Sequence, residues 1–373
     1  MVEPVHPTDG VFGTATPREK MPFGEYIDKM DKERGKYYLT TQYGMEEQAD
    51  GEEDDGPVLD PLLPSPTHKL KGEFPAHPRI LGDLVLQQCN LWLGNSKEGT
   101  TSGLHHDFHD NLYLLLSGEK RFVLFPPSAY TELHLRGSVK KLHGNGLIVY
   151  EDTDVSRADG LTDLDAAHWR LAARAHSLHN PSAKRTKGHK SAKEAYEAAQ
   201  REYRELASNL DAPTESESEA ESEAEPIFGD AGDDGEDDEF PAESGVEGGL
   251  GDHFGEDLLE SLDRPEPDSF SLIKPHVLHE HFGLQCAAGA HIGESPKPGK
   301  SCPVPLVVEL RAGQMLYLPA SWFHEVTSTA TDRPHMAFNY WMHPPDGDMS
   351  PYTDAEVWEA HRRAVLAALD VSV

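Results

Sequence analysis

Residues 104–112 read LHHDFHDNL, and this stretch constrains the architecture of the chain more than any other. In a β-strand, successive side chains point to opposite faces, so residues two apart share a face. A strand here places His105 and Asp107 on one face and His106 on the other. An imidazole and a carboxylate side by side are two of the groups that bind divalent metals. We therefore predict that this stretch carries part of a metal site.

A third ligand has to come from elsewhere in the chain, and His324 is the candidate. It lies in LPASWFHEV, residues 318–326, directly after an apolar run that predicts a strand. Two histidines and one carboxylate that leave coordination positions open form the facial triad of non-haem Fe(II) oxygenases. With 21 histidines in the chain, an isolated HxD pair carries little weight, and a lone histidine after Trp-Phe is more often a core residue. The prediction depends on both segments together.

His109 offers a local alternative. On an ideal strand it falls on the same face as His105 and Asp107, which would give a His-Asp-His site within one segment. We favour the distant histidine, because Asp110 and Asn111 predict that the strand bends close to His109.

Short apolar runs separated by Gly and Pro turns recur on both sides of this stretch. Such spacing is typical of an all-β barrel or jelly roll rather than of βαβ units. Residues 111–125, NLYLLLSGEKRFVLF, predict two strands that pair as a hairpin around residues 117–120. The other predicted strands are 37–41, 84–86, 90–93, 306–310, 315–319 and 337–341.

Three segments have the composition of helices. Residues 21–30 are amphipathic, and SAKE at 191–194 is a capping box that opens a helix ending near Leu210. Residues 354–371 form an amphipathic tail with one apolar face. The residues of that face are Trp358, Val365, Leu366 and Leu369. This face packs either on its own domain or on a second subunit, so a homodimer through the C-terminal helix is one hypothesis.

The formal net charge is −33, and most of the excess lies in one segment. Residues 211–263 contain 21 acidic residues and no Lys or Arg. They have too few large apolar groups to offset the entropy of ordering, so we predict a disordered insertion. An acidic chain is not expected to bind nucleic acid, because phosphate backbones require a basic surface. The basic stretch 184–190, KRTKGHK, is either a solvated loop, which we favour, or a localisation or nucleic-acid-binding patch.

Composition also predicts the compartment. No apolar run reaches the roughly 18 residues of a membrane-spanning helix, and the first residues lack the pattern of a secretory signal. Three cysteines without CxxC spacing fit a reducing compartment. We expect an intracellular protein, cytoplasmic and/or nuclear, without a membrane partner.

Two segments resemble a known family. Residues 99–126 are similar to the core of JmjC-type Fe(II)/2-oxoglutarate oxygenases, and residues 311–326 are similar to the strand pair that carries the last iron ligand there. The resemblance implies a mainly β double-stranded β-helix, the jelly roll of cupin and JmjC proteins, with flanking helices and a long acidic disordered insertion. The implied domains are a discontinuous barrel over 1–126 and 264–345, an insertion over 127–210 with a helix near 191–210, the acidic segment 211–263, and a C-terminal helix within 346–373.

The resemblance also implies roles for single residues. His105, Asp107 and His324 match the iron ligands, and Lys120 matches the lysine that pairs with the distal carboxylate of 2-oxoglutarate. Other positions match polar residues around the co-substrate: Tyr38, with Tyr37 as a competing choice, Ser102, Asn111 and Asn339. Trp92 and Trp341 are expected either to line the pocket or to belong to the core.

The implied activity is that of a dioxygenase with Fe(II), 2-oxoglutarate and O2, which hydroxylates a protein side chain and releases succinate and CO2. The similarity is closest to the small protein hydroxylases, a branch that includes a lysyl hydroxylase of GTP-binding proteins. A lysyl side chain of a basic protein or of a translation-associated GTPase is therefore the expected substrate. The alternatives are a histone N-methyl-lysine demethylase, a tRNA hydroxylase, and a non-catalytic cupin-like interaction protein with an acidic arm.

Overall fold

The computed structural model describes most of the chain outside the acidic segment. The described residues are 2–6, 11–12, 16–41, 62–179, 189–210, 267–286 and 294–371. The segment predicted to be disordered, 211–263, lies outside these ranges, as does most of the basic stretch 184–190. In the described part, none of the helices has the length and apolar character that crossing a membrane requires.

Two antiparallel sheets form the centre of the molecule. Their described strands follow the orders β1-β2-β3-β12-β5-β10 and β4-β11-β6-β9. The strands are β1 (Val2–Pro4), β2 (Tyr37–Thr40), β3 (Leu86–Gly94), β4 (Thr100–His105), β5 (Asp110–Ser117), β6 (Glu119–Phe125), β9 (Leu306–Arg311), β10 (Met315–Leu318), β11 (Phe323–Thr329) and β12 (His335–Met342). A separate two-stranded hairpin consists of β7 (Val139–Leu142) and β8 (Ile148–Tyr150).

The chain changes sheet at nearly every step from β3 to β6 and again from β9 to β12. Inner-face residues of both sheets pack into one core, in which Tyr113 of β5 lies edge-on to Phe122 of β6 with ring centroids 5.3 Å apart. This alternation is the double-stranded β-helix predicted from the sequence, so the predicted fold class is confirmed.

The predicted hairpin at 111–125 is wrong. Both strands exist, but β5 and β6 belong to different sheets and are joined by the single residue Gly118. One residue is too short for a hairpin loop, which needs at least two. Both strands have apolar residues that face the core. This apolar pattern is compatible with two strands of different sheets as well as with two paired strands of a hairpin.

Two other strand predictions also need correction. Residues 84–86 and 90–93 are not two strands, because a single strand, β3, runs over Leu86–Gly94. Residues 104–112 are not one strand either: β4 ends at His105 and β5 begins at Asp110. Asp107 therefore lies in the connection between two sheets rather than on a strand face.

Helices flank the sheets as predicted, with two additions, at Asp163–His179 and Pro275–Phe282. The helices are α1 (Phe23–Lys32), α2 (Asp163–His179), α3 (His189–Leu210), α4 (Pro275–Phe282) and α5 (Ala355–Ala368). Helix α3 begins at His189, two residues before the predicted capping box. Helix α2 was not predicted, because its apolar positions are mostly small alanines that give a weak pattern. It packs against α3 and α5.

The apolar face of α5 is covered by its own chain. Trp358, Val365 and Leu369 belong to the core that α1 and β3 also form, and the Trp169 ring of α2 stacks on His361 at 4.1 Å. A homodimer through this helix stays a prediction, but the four apolar residues that motivated it are buried within the chain.

We expect Gly118→Ala to destabilise the fold. Gly118 has φ +80°, and an added Cβ would lie 2.6 Å from His335 Cβ and 2.7 Å from the Thr329 carbonyl oxygen. The left-handed backbone and the clash together should cost more than about 2 kcal/mol. Gly24→Ala is the matched control, because Gly24 lies in α1 with no atom within 4 Å of an added Cβ, and it should gain about 0.5–1 kcal/mol. Equal unfolding free energies in urea would contradict this expectation.

Candidate metal centre

Three predicted ligands meet at one point. His105 is the last residue of β4 and stands directly opposite His324 of β11 in the antiparallel register. Their ring centroids are 4.3 Å apart, and His324 Nε2 lies 3.7 Å from Asp107 Oδ2. One ligand atom from each of the three residues lies within 4.8 Å of the others. Among the described residues, this is the group of His, Cys, Asp and Glu side chains that could hold a metal ion.

Both imidazoles are oriented by backbone carbonyls. Nδ1 of His105 donates to the Gly103 carbonyl at 3.2 Å, and Nδ1 of His324 donates to the Trp322 carbonyl at 2.9 Å. Because a carbonyl only accepts, each Nδ1 carries a proton, and in the neutral ring this leaves the Nε2 lone pair for a metal ion. Such hydrogen bonds are the usual support of histidine ligands in metal sites.

The local alternative with His109 is not formed. His109 lies outside the ligand group and stacks on Trp341 with ring centroids 5.2 Å apart. The reason is the break between β4 and β5, which interrupts the strand alternation after His105. Asp107 reaches the site from the connecting residues, so the prediction of its position was right although the strand argument behind it was not.

Burial shapes the charges of the site. It lowers the pKa of His105 well below the ordinary value, with the nearby His324 acting in the same direction. Burial raises the pKa of Asp107, and the interaction with His324 partly offsets that effect. A half-buried carboxylate beside two imidazoles is costly without a cation, because few other charges compensate it. The donor set therefore fits a divalent metal ion.

The ligand strand β11 is also held from its other side. Glu325, next to His324, is fully buried and accepts hydrogen bonds from His279 of α4 at 3.0 Å and from the Thr327 hydroxyl at 2.9 Å. The Thr101 hydroxyl of β4 donates to the same carboxylate. These bonds tie β4, β11 and α4 together beneath the two histidines.

A cavity of about 350 Å³ opens beside the three ligands, and Lys120 lies in its wall. The Lys120 side chain is buried, and its ammonium donates to the Tyr38 hydroxyl at 3.0 Å. In the described part of the chain, no carboxylate lies within ion-pair distance of it. Burial lowers the pKa of Lys120 to about 7. A buried ammonium without an anionic partner is unusual and points to an anion as its ligand.

The other predicted co-substrate residues divide into two groups. Tyr38, Ser102 and Asn111 line the cavity. Asn339 does not line it: its amide donates to Asn111 Oδ1 at 2.9 Å and accepts from the Trp92 indole at 2.7 Å. Asn339 therefore orients Asn111 from behind the cavity wall. Trp92 and Trp341 both line the cavity, which is one of the two positions expected for them from the sequence.

Several residues of the site were not predicted. Phe270 stacks on the His105 ring with centroids 4.7 Å apart and planes 9° apart. It follows the acidic segment, and no local pattern marks it as part of the site. Tyr113 lines the cavity beside Lys120 and could have been found, because it follows Asn111 by two positions and shares its strand face.

A second cavity of about 430 Å³ adjoins the first. The lining residues that the two cavities share are Phe108, His109, Pro267 and Ser269. Residues 147–150 of the β7–β8 hairpin supply apolar walls, and Asp268 supplies a carboxylate. No hydrogen bond or ion pair to this carboxylate is formed by the part of the chain that the structure describes.

Lys120 should make the stability of the protein depend on pH. Its pKa is about 7 when folded, but an unfolded lysine has a pKa of about 10.4, so the unfolded chain binds one more proton between these values. The unfolding free energy of the wild type should therefore rise, relative to Lys120→Met, as the pH increases from about 7 to about 9.5.

Urea unfolding of both proteins at the two pH values measures this difference. The exposed Lys140→Met variant is the control, and it should follow the wild type at both values. A constant difference between wild type and Lys120→Met would contradict the burial of a titrating ammonium.

Comparison with known proteins gives the family. The model of the cupin-like domain family matches residues 6–348. The chain is 40% identical to "JmjC domain-containing protein 4" of Schizosaccharomyces pombe over 99% of this chain and 79% of that protein. Two local matches cover about a fifth of each chain. They are 38% identity to "Bifunctional peptidase and (3S)-lysyl hydroxylase JMJD7" of Homo sapiens (18% of this chain and 20% of that protein) and 33% identity to "Lysine-specific demethylase JMJ32" of Arabidopsis thaliana (20% and 19%). On the strength of the match over nearly its full length and of the His-Asp-His group inside the barrel, the chain belongs to the cupin-like JmjC family.

Proposed function

We propose that this protein is an Fe(II)- and 2-oxoglutarate-dependent dioxygenase that hydroxylates a protein side chain. The observation that carries the proposal is one cavity that contains both the His-Asp-His group and the buried ammonium of Lys120. Neither feature alone is specific, but a divalent metal and a dicarboxylate would neutralise both at once.

His105, Asp107 and His324 would hold the iron. Their free Nε2 lone pairs and carboxylate oxygen converge, and three protein ligands leave positions for a co-substrate and a gas. When bound there, iron with 2-oxoglutarate and O2 supplies the oxidising power for C–H hydroxylation, with succinate and CO2 as products. The protein contributes the orientation of the two imidazoles, which their carbonyl contacts fix before any metal binds.

Lys120 and Tyr38 would bind the distal carboxylate of 2-oxoglutarate. The ammonium already donates to the Tyr38 oxygen, and the remaining protons of both groups are available to an anion in the cavity. Asn111 and Ser102 add polar groups to the same wall. Phe270 and Trp341 are apolar surfaces beside the ligands, and they limit the access of water to the reacting atoms.

The substrate side chain we propose is lysyl. The second cavity joins the metal site at Phe108 and His109, its walls are largely apolar, and it holds the unpaired Asp268 carboxylate. An aliphatic chain that ends in a cation matches this combination of surfaces. The local similarity to a protein named as a lysyl hydroxylase supports the same choice.

N-methyl-lysine demethylation is the second candidate, because a methylated lysine would fit the same walls and the match in Arabidopsis thaliana is named as a lysine-specific demethylase. The two reactions leave different products on the peptide. Hydroxylation adds the mass of one oxygen atom, whereas demethylation removes methyl groups. A non-catalytic interaction protein would leave peptides unchanged.

His105→Ala and Asp107→Ala should abolish formation of succinate from 2-oxoglutarate in the presence of Fe(II), because each variant removes a ligand. Folding should be little affected, since His105 ends β4, Asp107 lies in a connection, and both side chains are only half-buried. His176→Ala, an exposed histidine on α2, is the control and should retain full turnover. Mass spectrometry of lysine-containing partner peptides should show added oxygen with the wild type and with His176→Ala, but with neither ligand variant. Turnover that survives both ligand variants would refute the proposal.

Lys120→Met should bind 2-oxoglutarate at least about 100-fold more weakly than the wild type, because the distal carboxylate would be buried without a cation. Affinity of the wild type should fall as the pH rises above about 7, since a neutral Lys120 must regain its proton on binding. Calorimetric titration with Mn²⁺ in place of iron measures both effects without turnover. Lys140→Met should bind as the wild type does, and equal affinities for all three proteins would contradict the assignment.

A further inference from the structure

Two connecting segments beside the proposed ligands, one of them a short turn, are hydrogen-bonded to each other. Residues 106–109 connect β4 to β5 and include Asp107, while residues 319–322 connect β10 to β11 and precede His324. Neither segment belongs to a sheet ladder. Their relative position is therefore set by individual hydrogen bonds rather than by strand pairing.

One of these bonds joins the two segments directly, and another joins the second segment to the first residue of β5. The backbone N–H of Ser321 donates to the Asp107 carbonyl at 2.7 Å. The backbone N–H of Ala320 donates to Asp110 Oδ1 at 2.9 Å. The second bond uses a side chain, so substitution can remove it without changing the backbone.

Asp110 is placed where the strand pairing ends. The ladder between β5 and β10 stops at the pair Asn111 and Leu318, and the next residue, Pro319, has no N–H to continue it. In place of a further ladder bond, the Asp110 carboxylate accepts a hydrogen bond from the Ala320 N–H. It also accepts from the Tyr317 hydroxyl, and its side chain is buried.

The turn needs this support because its backbone is unfavourable. Ser321 has φ 60°, a left-handed conformation that non-glycine residues avoid. Its hydroxyl accepts from the Ile148 N–H of β8 at 2.9 Å, which holds the turn from the opposite side. A strained turn kept in place by surrounding contacts relaxes when one of them is lost.

We propose that Asp110 is a positioning residue for the metal site: through Ala320 it holds the turn before His324 against the segment that carries Asp107. Asp110 is not part of the ligand group and would not touch the metal. Its function is to keep the ligand atoms of Asp107 and His324 close together in the absence of metal. This inference rests on the proposed function only in that the site binds a divalent ion.

Binding of Mn²⁺ to the metal-free protein, measured by calorimetry in the absence of 2-oxoglutarate, tests the inference without any turnover. Asp110→Ala should weaken Mn²⁺ binding about 10–100-fold, the usual effect of losing a residue that supports a metal ligand. Asp110→Asn should restore binding to within about threefold of the wild type, because its amide oxygen still accepts from Ala320. Tyr317→Phe removes the other contact of the carboxylate and should leave the affinity nearly unchanged.

The outcomes separate the two proposals. If the wild type binds no Mn²⁺, both the proposed function and this inference fail. If the wild type binds and a folded Asp110→Ala binds equally well, the inference alone is overturned. A loss in Tyr317→Phe as large as that in Asp110→Ala would also overturn it, because the bond to Ala320 would not be the cause. Should Asp110→Ala not fold, Asp110→Glu replaces it, since the longer side chain displaces the carboxylate and should weaken binding in the same way.

Discussion

The antiparallel pairing of β4 with β11 is the contact on which the rest of the site depends. It sets His105 directly opposite His324, although more than half of the chain lies between these two residues in the sequence. The β4–β5 connection then brings Asp107 to the same point, and the paired strands continue toward Ser102 and the cavity. A shift of one residue in this register would turn one histidine to the opposite face of the sheet. The buried Glu325 network beneath the two strands opposes such a shift, because it would leave a carboxylate without its hydrogen bonds.

Around this pairing, the protein keeps polar groups buried at a cost to its own stability. Lys120 has no anionic partner among the described residues, and the Asp107 carboxylate is largely enclosed beside the imidazole of His324. Ser321 adopts a left-handed backbone beside them. A metal ion would compensate the Asp107 carboxylate and an anion would compensate the Lys120 ammonium, whereas hydrogen bonds from neighbouring residues hold Ser321 in place. Unpaired charges and strained backbone that cluster at one cavity are typical of functional sites, where a bound ligand pairs with the charged groups.

The elements that were predicted correctly are those with strong local signals. Alternating apolar residues gave β2, β6 and β12, and a run of helix formers gave α3. The three residues that the structure brings together as a possible metal site were also predicted together, because an HxD pair and a distant histidine are recognisable when they occur in one chain. The predicted hairpin at Gly118 was wrong. A strand with one face in the core has the same sequence pattern whether the next strand pairs with it in the same sheet or packs against it from the other sheet. Helix α2 and the contact of Phe270 with His105 carry no local signal, since alanine is a weak marker and the stacking joins residues far apart in the chain.

The sequence by itself determined which side chains can bind a metal, that a lysine, Lys120, follows His105 and Asp107 closely in the chain, and that most of the acidic excess belongs to one segment. These properties are local, because they follow from residue type and short spacing. The tertiary structure alone decided that Lys120 is buried, that Asn339 stands behind Asn111, and that Asp110 links two ligand segments. Those properties depend on which strand crosses to which sheet, and that is set by packing across the whole core rather than by any single stretch of the chain.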